Sequence, residues 1–342
     1  MSKTNGTPKF LSTSSTLSNL AVSGKSNGGL PVGSYILFVG DTDSGKSFFS
    51  KAFLAEASIN KAFDGYQLIL DDVERADRID TEKFFGKKLM SRIQPPKKNK
   101  EGEPVYSETV EDLYENVEDA IKRGPCIYVC DSETSLTCRA DQKKANKRDD
   151  QKGSYGVDKA KLHSTNLRRL MGPLQESGSI LILINQTRDR IGFGAQFDPK
   201  TRAGGRALAF YATVQMWTSV REKIKRTIKG KKRQVGIVAR IRVKRSRVTG
   251  KDRTVDVPIY WSSGIDDLGG MVHWLVDEKH WEGAKEVDGK VKAPEFKFEG
   301  SKEGLIKKIE AEGLERELKA LTAEVWSDIE TACTVERKSR YA

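Results

Sequence analysis

Residues 40–47 combine two glycines, a lysine and a hydroxyl side chain at a spacing that suits phosphate binding. They follow the apolar run 35–39, which predicts a buried strand, and they lead into residues 47–59, which predict a helix. Glycines let the backbone curl so that successive N–H groups and the helix N-terminus face an anion. Lys46 can reach the β- and γ-phosphates, and the Ser47 hydroxyl can ligate Mg²⁺. The pattern predicts a nucleoside triphosphate site formed by Gly40, Asp41, Thr42, Asp43, Ser44, Gly45, Lys46 and Ser47.

Hydrolysis of a bound triphosphate also requires acidic side chains near this loop. Asp131 ends the apolar run 126–130 and is expected to hold Mg²⁺ with its water, although it could be a plain strand-end cap. A base must position the attacking water. Glu74, just past the apolar run 66–70, and Glu133 are both candidates, and each could instead be a solvated loop carboxylate.

Apolar runs alternate with helical patterns through most of the chain. Strands separated by helices predict an α/β fold in which a mostly parallel sheet is covered on both faces. The predicted strands of this sheet are 35–39, 66–70, 126–130 and 180–184, and the predicted helices are 47–59, 108–122 and 162–174. Further strands over 208–217, 236–247 and 254–261 are expected to be antiparallel additions at its edge.

Composition divides the chain into an N-terminal arm (1–28), a core (29–276), a linker (277–300) and a helical tail (301–342). The polar or glycine-rich stretches within the core predict exposed loops over 86–105, 138–160 and 188–205. In the tail, apolar residues at helical spacing predict one or two amphipathic helices that pack on the core, with subunit contacts as the alternative. These apolar residues are Leu314, Leu318, Leu321, Val325 and Ile329.

The charge balance, 60 Lys+Arg against 48 Asp+Glu, gives a net charge of +12. Such a chain favours partners rich in phosphate, either nucleic acid or an anionic membrane surface, unless its basic surface is merely solvated. The sequence contains no apolar stretch long enough to span a membrane and no secretory signal, so we expect a cytosolic protein. Its four cysteines form no C-x-x-C pair, which argues against a structural metal site. Cys126 and Cys130 are expected to be small core residues of a reducing compartment.

Five short motifs, in this order, resemble the RecA family of DNA recombinases. They are GLPVG at 29–33, DVE at 72–74, DS at 131–132, INQTRDRIG at 184–192 and TRAGGRALAFYA at 201–212. The resemblance spans roughly residues 10–275. It implies a RecA-like P-loop NTPase core with a mostly parallel central sheet, antiparallel strands at one edge and ATP and Mg²⁺ as cofactors.

The resemblance also implies roles for individual residues. It favours Glu74 over Glu133 as the catalytic glutamate, and it assigns Gln186 as the residue that senses the γ-phosphate and passes that state to a DNA-binding loop. Lys244 and Arg247 lie where the family places paired cations that complete the active site of a filament neighbour. One more residue than in the bacterial pattern separates strand from turn here, so Lys244 fits that role better than Arg247; a solvated basic strand edge is the alternative for both.

Two loops resemble the DNA-binding loops of the family. The second loop carries Arg188, Arg190, Ile191, Phe193, Arg202 and Arg206; the first resembles the family only by position and carries Lys143, Lys144, Lys147, Arg148 and Lys152. Their cations would neutralise phosphates without sequence preference, and Ile191 and Phe193 would wedge between bases or support them. Disordered charged loops are the alternative.

The function implied is a DNA-dependent ATPase that forms ATP-bound filaments on single-stranded DNA and promotes homologous pairing and strand exchange. Its partners would be single- and double-stranded DNA, further copies of itself in a helical filament, and single-strand-binding and mediator proteins, with no membrane. A RecA-like ring helicase or motor, and a nucleotide-binding mediator of another recombinase, are the alternatives.

Two departures from the bacterial pattern stand out. The segment before Phe10 is short for a docking arm, and the tail does not resemble the bacterial accessory domain, so the chain looks more like phage-encoded members. Asp41 and Asp43 bring negative charge near phosphates, and we expect them to point outward or to face a neighbour's Lys244 or Arg247. The adenine contact is left unassigned.

Overall fold

The computed structural model describes residues 10–146, 155–189, 200–202, 205–281, 290–335 and 337. Its helices are α1 Thr16–Ser23, α2 Lys46–Ile59, α3 Thr81–Arg92, α4 Val110–Arg123, α5 Arg139–Asn146, α6 Tyr155–Ser177, α7 Gly205–Tyr211, α8 Asp267–Asp277, α9 Lys302–Glu312 and α10 Glu315–Ala332. Its first eight strands are β1 Phe10–Leu11, β2 Leu30–Pro31, β3 Ser34–Gly40, β4 Gln67–Asp72, β5 Ile93–Gln94, β6 Lys97–Lys98, β7 Pro104–Val105 and β8 Cys126–Asp131. The others are β9 Ile180–Asp189, β10 Lys200–Arg202, β11 Val214–Ile228, β12 Lys231–Ser246, β13 Arg253–Tyr260, β14 Gly264–Ile265, β15 Val291–Ala293 and β16 Phe298–Gly300.

The central sheet has the strand order β14-β13-β12-β11-β3-β9-β8-β4-β5. From β11 to β5 each neighbouring pair is parallel. From β11 to β14 each pair is antiparallel. The predicted α/β fold with a mostly parallel sheet and antiparallel strands at one edge is therefore confirmed.

Alternate side chains of β3 fill two separate cores. Ile36 and Phe38 belong to the cluster that contains α1 and α2 residues. Tyr35, Leu37 and Val39 belong to the cluster that contains α4 and α6 residues. Both faces of the strand are buried, which explains why it reads as one continuous apolar run. The predicted helices over 47–59, 108–122 and 162–174 are confirmed as α2, α4 and α6.

The segment from Phe10 onward is part of the core, so its prediction as an arm is wrong. Its α1 helix is buried along its whole length, although the sequence is rich in serine and threonine. These polar side chains have partners inside the fold: Thr16 donates its N–H and hydroxyl to Asp267 at 2.6 and 2.7 Å. The side chain of Asn19, which is 1% exposed, accepts from Thr13. Buried polar groups are tolerated when they are hydrogen-bonded, and this polar composition therefore does not mark an exposed arm.

Three predicted boundaries inside the core also differ. The loop over 86–105 begins as helix α3, which continues past a left-handed Gly86 to Arg92. The Arg92 guanidinium fixes this end by donating to the carbonyls of Ala57, Ser58, Phe63, Asp64 and Tyr66. Residues 138–160 are not all loop, because α5 and the first turns of α6 lie there. The strand predicted over 208–217 begins only at Val214, since Leu208 lies in helix α7.

The prediction of one or two amphipathic helices in the tail is confirmed, and the structure has two, α9 and α10. They pack with α8 and the β15–β16 hairpin around a third apolar cluster, so residues 290–300 of the predicted linker are packed structure. The Glu330 carboxylate of α10 pairs with Lys251 and Arg253, and the Arg253 hydrogen bond lowers its pKa to about 2.

Two features of the composition, the cysteines and the apolar content, have structural counterparts. Cys126 and Cys130 are buried in the second cluster, as predicted. No helix in the described ranges is long and apolar enough to cross a membrane.

Candidate functional site

Strand register brings the predicted site residues to one edge of the sheet. In the parallel pair β4–β8, Asp72 lies beside Asp131. In the pair β3–β9, Gly40 lies beside Gln186. Carboxyl ends of parallel strands share one edge, so residues from distant parts of the chain meet around residues 40–47.

The loop of residues 40–47 curls back on itself. Asp43 and Gly45 have left-handed φ values of 58° and 89°. The Lys46 ammonium donates to the carbonyl of Asp41, and the Ser44 hydroxyl donates to the same carbonyl at 2.7 Å. α2 begins at Lys46, so its first N–H groups and its positive end border the loop. The loop thus has the form that its sequence predicts.

A polar cluster that is partly shielded from solvent contains Lys46, Ser47 and Asp131. Burial lowers the pKa of Lys46, while the negative charges of Asp131, Asp41, Glu74 and Asp43 oppose that shift. Burial also raises the pKa of Asp131 to about 6; a hydrogen bond with Ser47 opposes this rise, and the charge of Glu74 adds to it. A cation beside Asp131 would favour its ionised form.

This cluster suits Mg²⁺ held jointly with a nucleotide. Ser47 and Asp131 offer hard oxygen ligands, which Mg²⁺ prefers together with water and phosphate oxygens. Among the residues that the structure describes, no group of three or more His, Cys, Asp or Glu could hold a metal. An ion here would therefore need phosphate oxygens and water to complete its coordination.

Glu74 sits across this cluster with its carboxylate held by three donors. Its Oε1 accepts from the hydroxyls of Ser132 and Ser135 at 2.5 and 2.9 Å, and from Gln186 Nε2 at 3.1 Å. Glu74, Asp131 and Ser47 line one cavity of about 290 Å³. The carboxylate therefore faces the space where a terminal phosphate and its attacking water would sit.

The turn that carries Glu74 is fixed by Asp72, which belongs to the DVE motif, and by Lys51, which sequence reasoning missed. The Asp72 carboxylate accepts from the N–H groups of Ala76 and Asp77. Lys51 of α2 is 2% exposed, pairs with Asp77 at 2.6 Å and donates to Thr81 at 2.8 Å. Lysines are rarely buried without such partners. The signal available in the sequence was that Lys51 occupies a position of α2 that faces the core.

Glu133, the competing candidate for the base, is buried on the other face of the sheet. It is 0% exposed and contacts Lys159 at 2.9 Å and His163 at 2.8 Å. Asn185 donates to its second oxygen. Despite burial, the hydrogen bond and charge of His163, with those of Lys159, lower its pKa to about 2. Both of its carboxylate oxygens have partners inside the fold. This favours Glu74 over Glu133 as the residue that would face the nucleotide.

The neighbouring residues Asn185 and Gln186 therefore serve different faces. Side chains alternate along a strand, so Asn185 points toward Glu133 and Gln186 toward Glu74. The N–H of Gln186 also donates to Thr134 at 2.9 Å. The end of β9 is thus held from both sides of the sheet.

Asp41 does not point outward as expected. Its Oδ1 accepts a hydrogen bond of 2.5 Å from the Thr187 hydroxyl, one residue past Gln186. This contact joins residues 40–47 directly to β9. Asp43 instead lines a second cavity, of about 540 Å³, together with Lys46 and Ser47.

The second cavity contains an aromatic residue that sequence reasoning left unassigned. Trp261, at the end of β13, is 57% exposed there and shares the cavity with Phe48, Gln234 and Ile259. An exposed indole beside a predicted phosphate site can stack on a flat base. The signal available in the sequence was a tryptophan directly after a strand end.

Lys244 and Arg247 lie around Trp217 and α7. Lys244 Nζ is 3.8 Å from the centre of the Trp217 ring, and the Arg247 guanidinium donates to the Phe210 carbonyl at 2.8 Å. Phe210 itself is 64% exposed. Lys244 therefore lies on the Trp217 ring, whereas Arg247 lies beside the exposed Phe210.

Some of the predicted DNA-binding residues lie in the part of the chain that the structure describes, and the others lie outside it. Lys143 and Lys144 lie in α5, Arg188 in β9, Arg202 in β10, and exposed Arg206 in α7. The strands β9 and β10 pair antiparallel, with Arg202 beside Thr187, so the second loop begins as a short ribbon. The remaining candidates lie outside the described residues: Lys147, Arg148, Lys152, Arg190, Ile191 and Phe193.

Comparison with known proteins finds one family over most of the chain. The sequence model described as the RecA N-terminal domain matches residues 3–266. Protein RecA of Mycobacterium ulcerans is 30% identical over 262 residues, covering 73% of this chain and 66% of the relative. The corresponding protein of Rhodospirillum rubrum is 30% identical over 250 residues (72% and 61%), and that of Bartonella bacilliformis 31% over 254 residues (72% and 64%). The chain thus matches slightly less than two thirds of these relatives' lengths.

Proposed function

Because this chain belongs to the RecA family, we propose that it is a DNA-dependent ATPase that polymerises on single-stranded DNA and promotes homologous pairing and strand exchange. The observation that carries the proposal is the position of Gln186. Its side chain contacts Glu74, which lines the cavity shared with Ser47 and Asp131, and its strand continues directly into the predicted second DNA loop. One residue would thus connect the proposed hydrolysis site to the start of the proposed DNA-binding segment.

Each part of the nucleotide would have a defined place. Lys46 and the N–H groups of residues 40–47 would hold the phosphates, and Ser47 and Asp131 would hold Mg²⁺, which supplies charge neutralisation at the reacting phosphate. The Glu74 carboxylate would orient a water for attack on the γ-phosphate and accept its proton. The base would lie against Trp261 in the second cavity.

A neighbouring copy would complete this site. Arg247 contacts the carbonyl of the exposed Phe210, and Lys244 lies over the Trp217 ring; from these positions the two cations could reach the phosphates bound by an adjacent subunit. Because these side chains would come from a neighbouring subunit, ATP hydrolysis would depend on the assembly of subunits. ATP between subunits would hold the DNA-binding filament, and hydrolysis would release it.

Hydrolysis measured with and without single-stranded DNA tests the ATPase proposal. We expect DNA to stimulate the wild type and Glu74→Gln to lose at least about 100-fold in turnover while still binding ATP. Glu108→Gln removes a nearby exposed carboxylate that pairs with Arg75, and this control should keep wild-type turnover. No hydrolysis by the wild type, or equal turnover in Glu74→Gln, contradicts the assignment.

Strand exchange between a circular single strand and a linear duplex tests the recombinase proposal. Joint molecules are expected with ATP and Mg²⁺, together with filaments in the electron microscope. Closed rings without joint molecules would favour a motor. ATP binding without exchange or turnover would favour a mediator.

A further inference from the structure

Residues 132–136, between β8 and α5, contact the Glu74 carboxylate through two serines, and we call them the support segment. The hydroxyls of Ser132 and Ser135 donate to Glu74 Oε1 at 2.5 and 2.9 Å. Ser132 is buried, whereas Ser135 is exposed. None of the five sequence motifs that resemble the RecA family includes Ser135. The proposed function therefore gives this second hydroxyl no role.

The hydrogen bonds of the Glu74 carboxylate within the described ranges all end on one of its oxygens. Oε1 accepts from Ser132, from Ser135 and from Gln186 Nε2. This leaves Oε2 as the oxygen that can accept from a water in the cavity that Glu74 lines with Ser47. A base acts efficiently only when it is held within hydrogen-bond reach of the proton that it removes. Donors on Oε1 would provide that hold.

The two serines would carry more of this load once ATP is bound. If Gln186 senses the γ-phosphate, as the family resemblance implies, its amide would leave Glu74 for the phosphate. Ser132 and Ser135 would then be the donors that keep the carboxylate in place. Hydrogen bonds to an ionised acceptor are stronger than those between neutral groups, so two hydroxyls suit this task.

Lys159 of α6 holds the main chain of the support segment. Its Nζ donates to the carbonyls of Glu133, Thr134 and Leu136 at 2.7, 3.3 and 3.0 Å. It also pairs with the Glu133 carboxylate at 2.9 Å, and its side chain is only 14% exposed. A single helical turn leaves carbonyls without partners inside the turn, and one ammonium here bonds three of them. Lys159 thus fixes the backbone that carries Ser135.

We propose that Ser135 is a positioning residue for ATP hydrolysis, which holds the Glu74 carboxylate toward its water, and that Lys159 keeps Ser135 in place. The inference rests on the proposed function, because it adds residues that serve the same reaction. Neither side chain would touch the nucleotide. Loss of either should therefore slow the chemical step and leave ATP binding unchanged.

Steady-state ATP hydrolysis by the full chain on single-stranded DNA tests the role of Ser135. We expect Ser135→Ala to lose about tenfold in kcat, with KM for ATP within about twofold of wild type. Ser135→Thr keeps the hydroxyl and should stay within about threefold of the wild-type kcat. The control Ser91→Ala removes an exposed hydroxyl that donates to the Lys88 carbonyl, and it should keep the wild-type kcat. Thermal unfolding verifies that the variants are folded.

A second background shows whether Ser135 acts through Glu74. In Glu74→Ala no carboxylate remains to be positioned, so the addition of Ser135→Ala should change the residual turnover by less than about twofold. Radiolabelled ATP makes these low rates measurable. The same tenfold loss in both backgrounds would mean that Ser135 acts elsewhere, which contradicts the proposal.

Lys159→Met tests the hold on the support segment. It removes the three carbonyl contacts and the ion pair, whereas Glu133→Gln removes the ion pair and keeps the carbonyls. We expect Lys159→Met to lose about tenfold in kcat, and its combination with Ser135→Ala to lose less than the product of the single losses. Glu133→Gln, measured at a temperature where it is folded, should keep the wild-type kcat.

Several results would overturn the proposal. Wild-type kcat in Ser135→Ala, or an equal loss in Ser135→Thr, contradicts the positioning role. A raised KM at unchanged kcat would assign Ser135 to nucleotide binding instead. Equal losses in Lys159→Met and Glu133→Gln would reduce Lys159 to a stabilising residue. Absence of hydrolysis in the wild type contradicts the proposed function itself, and with it any reaction that Ser135 could serve, so the two failures are distinguishable.

Discussion

Gln186 Nε2 donates a hydrogen bond of 3.1 Å to Glu74 Oε1, linking the end of β9 to a carboxylate that lines the cavity shared with Ser47 and Asp131. The two residues are far apart in the chain and meet because β9 and β4 end at the same sheet edge. A bound γ-phosphate would compete with Glu74 for the Gln186 amide. If Gln186 changed its hydrogen-bond partner when ATP binds, the position of the residues beyond 187 would depend on the bound nucleotide.

Gln186→Leu should therefore uncouple nucleotide from DNA. The side chain keeps its size but can no longer donate to Glu74 or to a phosphate. We expect ATP binding to persist, and the ATP-dependent gain in affinity for single-stranded DNA, typically about 5- to 150-fold in such couplings, to be lost. DNA affinity is measured with and without a non-hydrolysable ATP analogue. Gln175→Leu, at an exposed position of α6, is the control, and a full ATP effect in Gln186→Leu would contradict this role.

The hydrogen bond between Asp41 and Thr187 predicts a second coupling between residues 40–47 and β9. A double-mutant cycle of Asp41→Asn and Thr187→Val measures it, with affinity for single-stranded DNA in the presence of an ATP analogue as the readout. Residues in direct contact interact by about 0.5–3 kcal/mol, so the double variant should lose less than the sum of the single losses. Strict additivity would mean that the contact carries no coupling.

Glu133 is predicted to act on stability rather than on catalysis. Glu133→Gln leaves the buried His163 and the partly buried Lys159 without their carboxylate, which should cost about 3–5 kcal/mol in the free energy of unfolding. Urea unfolding measures this loss. Glu118→Gln breaks a surface pair with Arg169 and should cost at most about 1 kcal/mol.

The effect of Glu133 should also depend on pH. Its pKa is lowered from 4.5 to about 2 in the folded state, so the unfolded chain takes up the proton first as pH falls. The stability difference between wild type and Glu133→Gln should be complete above pH 4.5 and decline toward about pH 2. A difference that grows on acidification would contradict the assigned charge network.

Trp261 predicts where the base of the nucleotide lies. Trp261→Ala should weaken ATP binding by about 1–3 kcal/mol, or roughly 5- to 150-fold, because a stacking partner is lost. Trp261→Phe keeps an aromatic ring and should retain most of the affinity. Calorimetry with inorganic tripolyphosphate provides the control, since that ligand has no base. An equal loss for tripolyphosphate would place Trp261 outside the base site.

Periodicity and turn chemistry predicted the parallel part of the fold well. The β3–α2 unit follows from an apolar run and a glycine-rich turn, and such local signals are visible in sequence. Helix α1 could not be predicted in this way, because Asp267, which anchors it, is distant in the chain. Helix α7 was mistaken for a strand because Leu208, Phe210 and Ala212 alternate as in a strand, although Leu208 and Tyr211 have the i, i+3 spacing of a helix.

The candidate site likewise contains some residues with local sequence signals and others whose position depends on distant parts of the chain. Residues 40–47 and Asp131 carry local signatures, whereas the choice between Glu74 and Glu133 depends on which face of the sheet each side chain takes. Lys51 and Trp261 were missed because their partners come from other elements. The likeness to phage-encoded members and the DNA-contacting residues stay predictions.

The placement of Asp72 beside Asp131 and of Gly40 beside Gln186 has a consequence for how this chain can vary in length. A one-residue insertion in β4, β8 or β9 would turn every later side chain of that strand to the opposite face. The acidic group or amide at its end would then point into the helices on the wrong side, while the apolar residues behind it would change cores. Insertions and deletions should therefore be tolerated in connections such as residues 95–105 and be lethal to activity inside these strands.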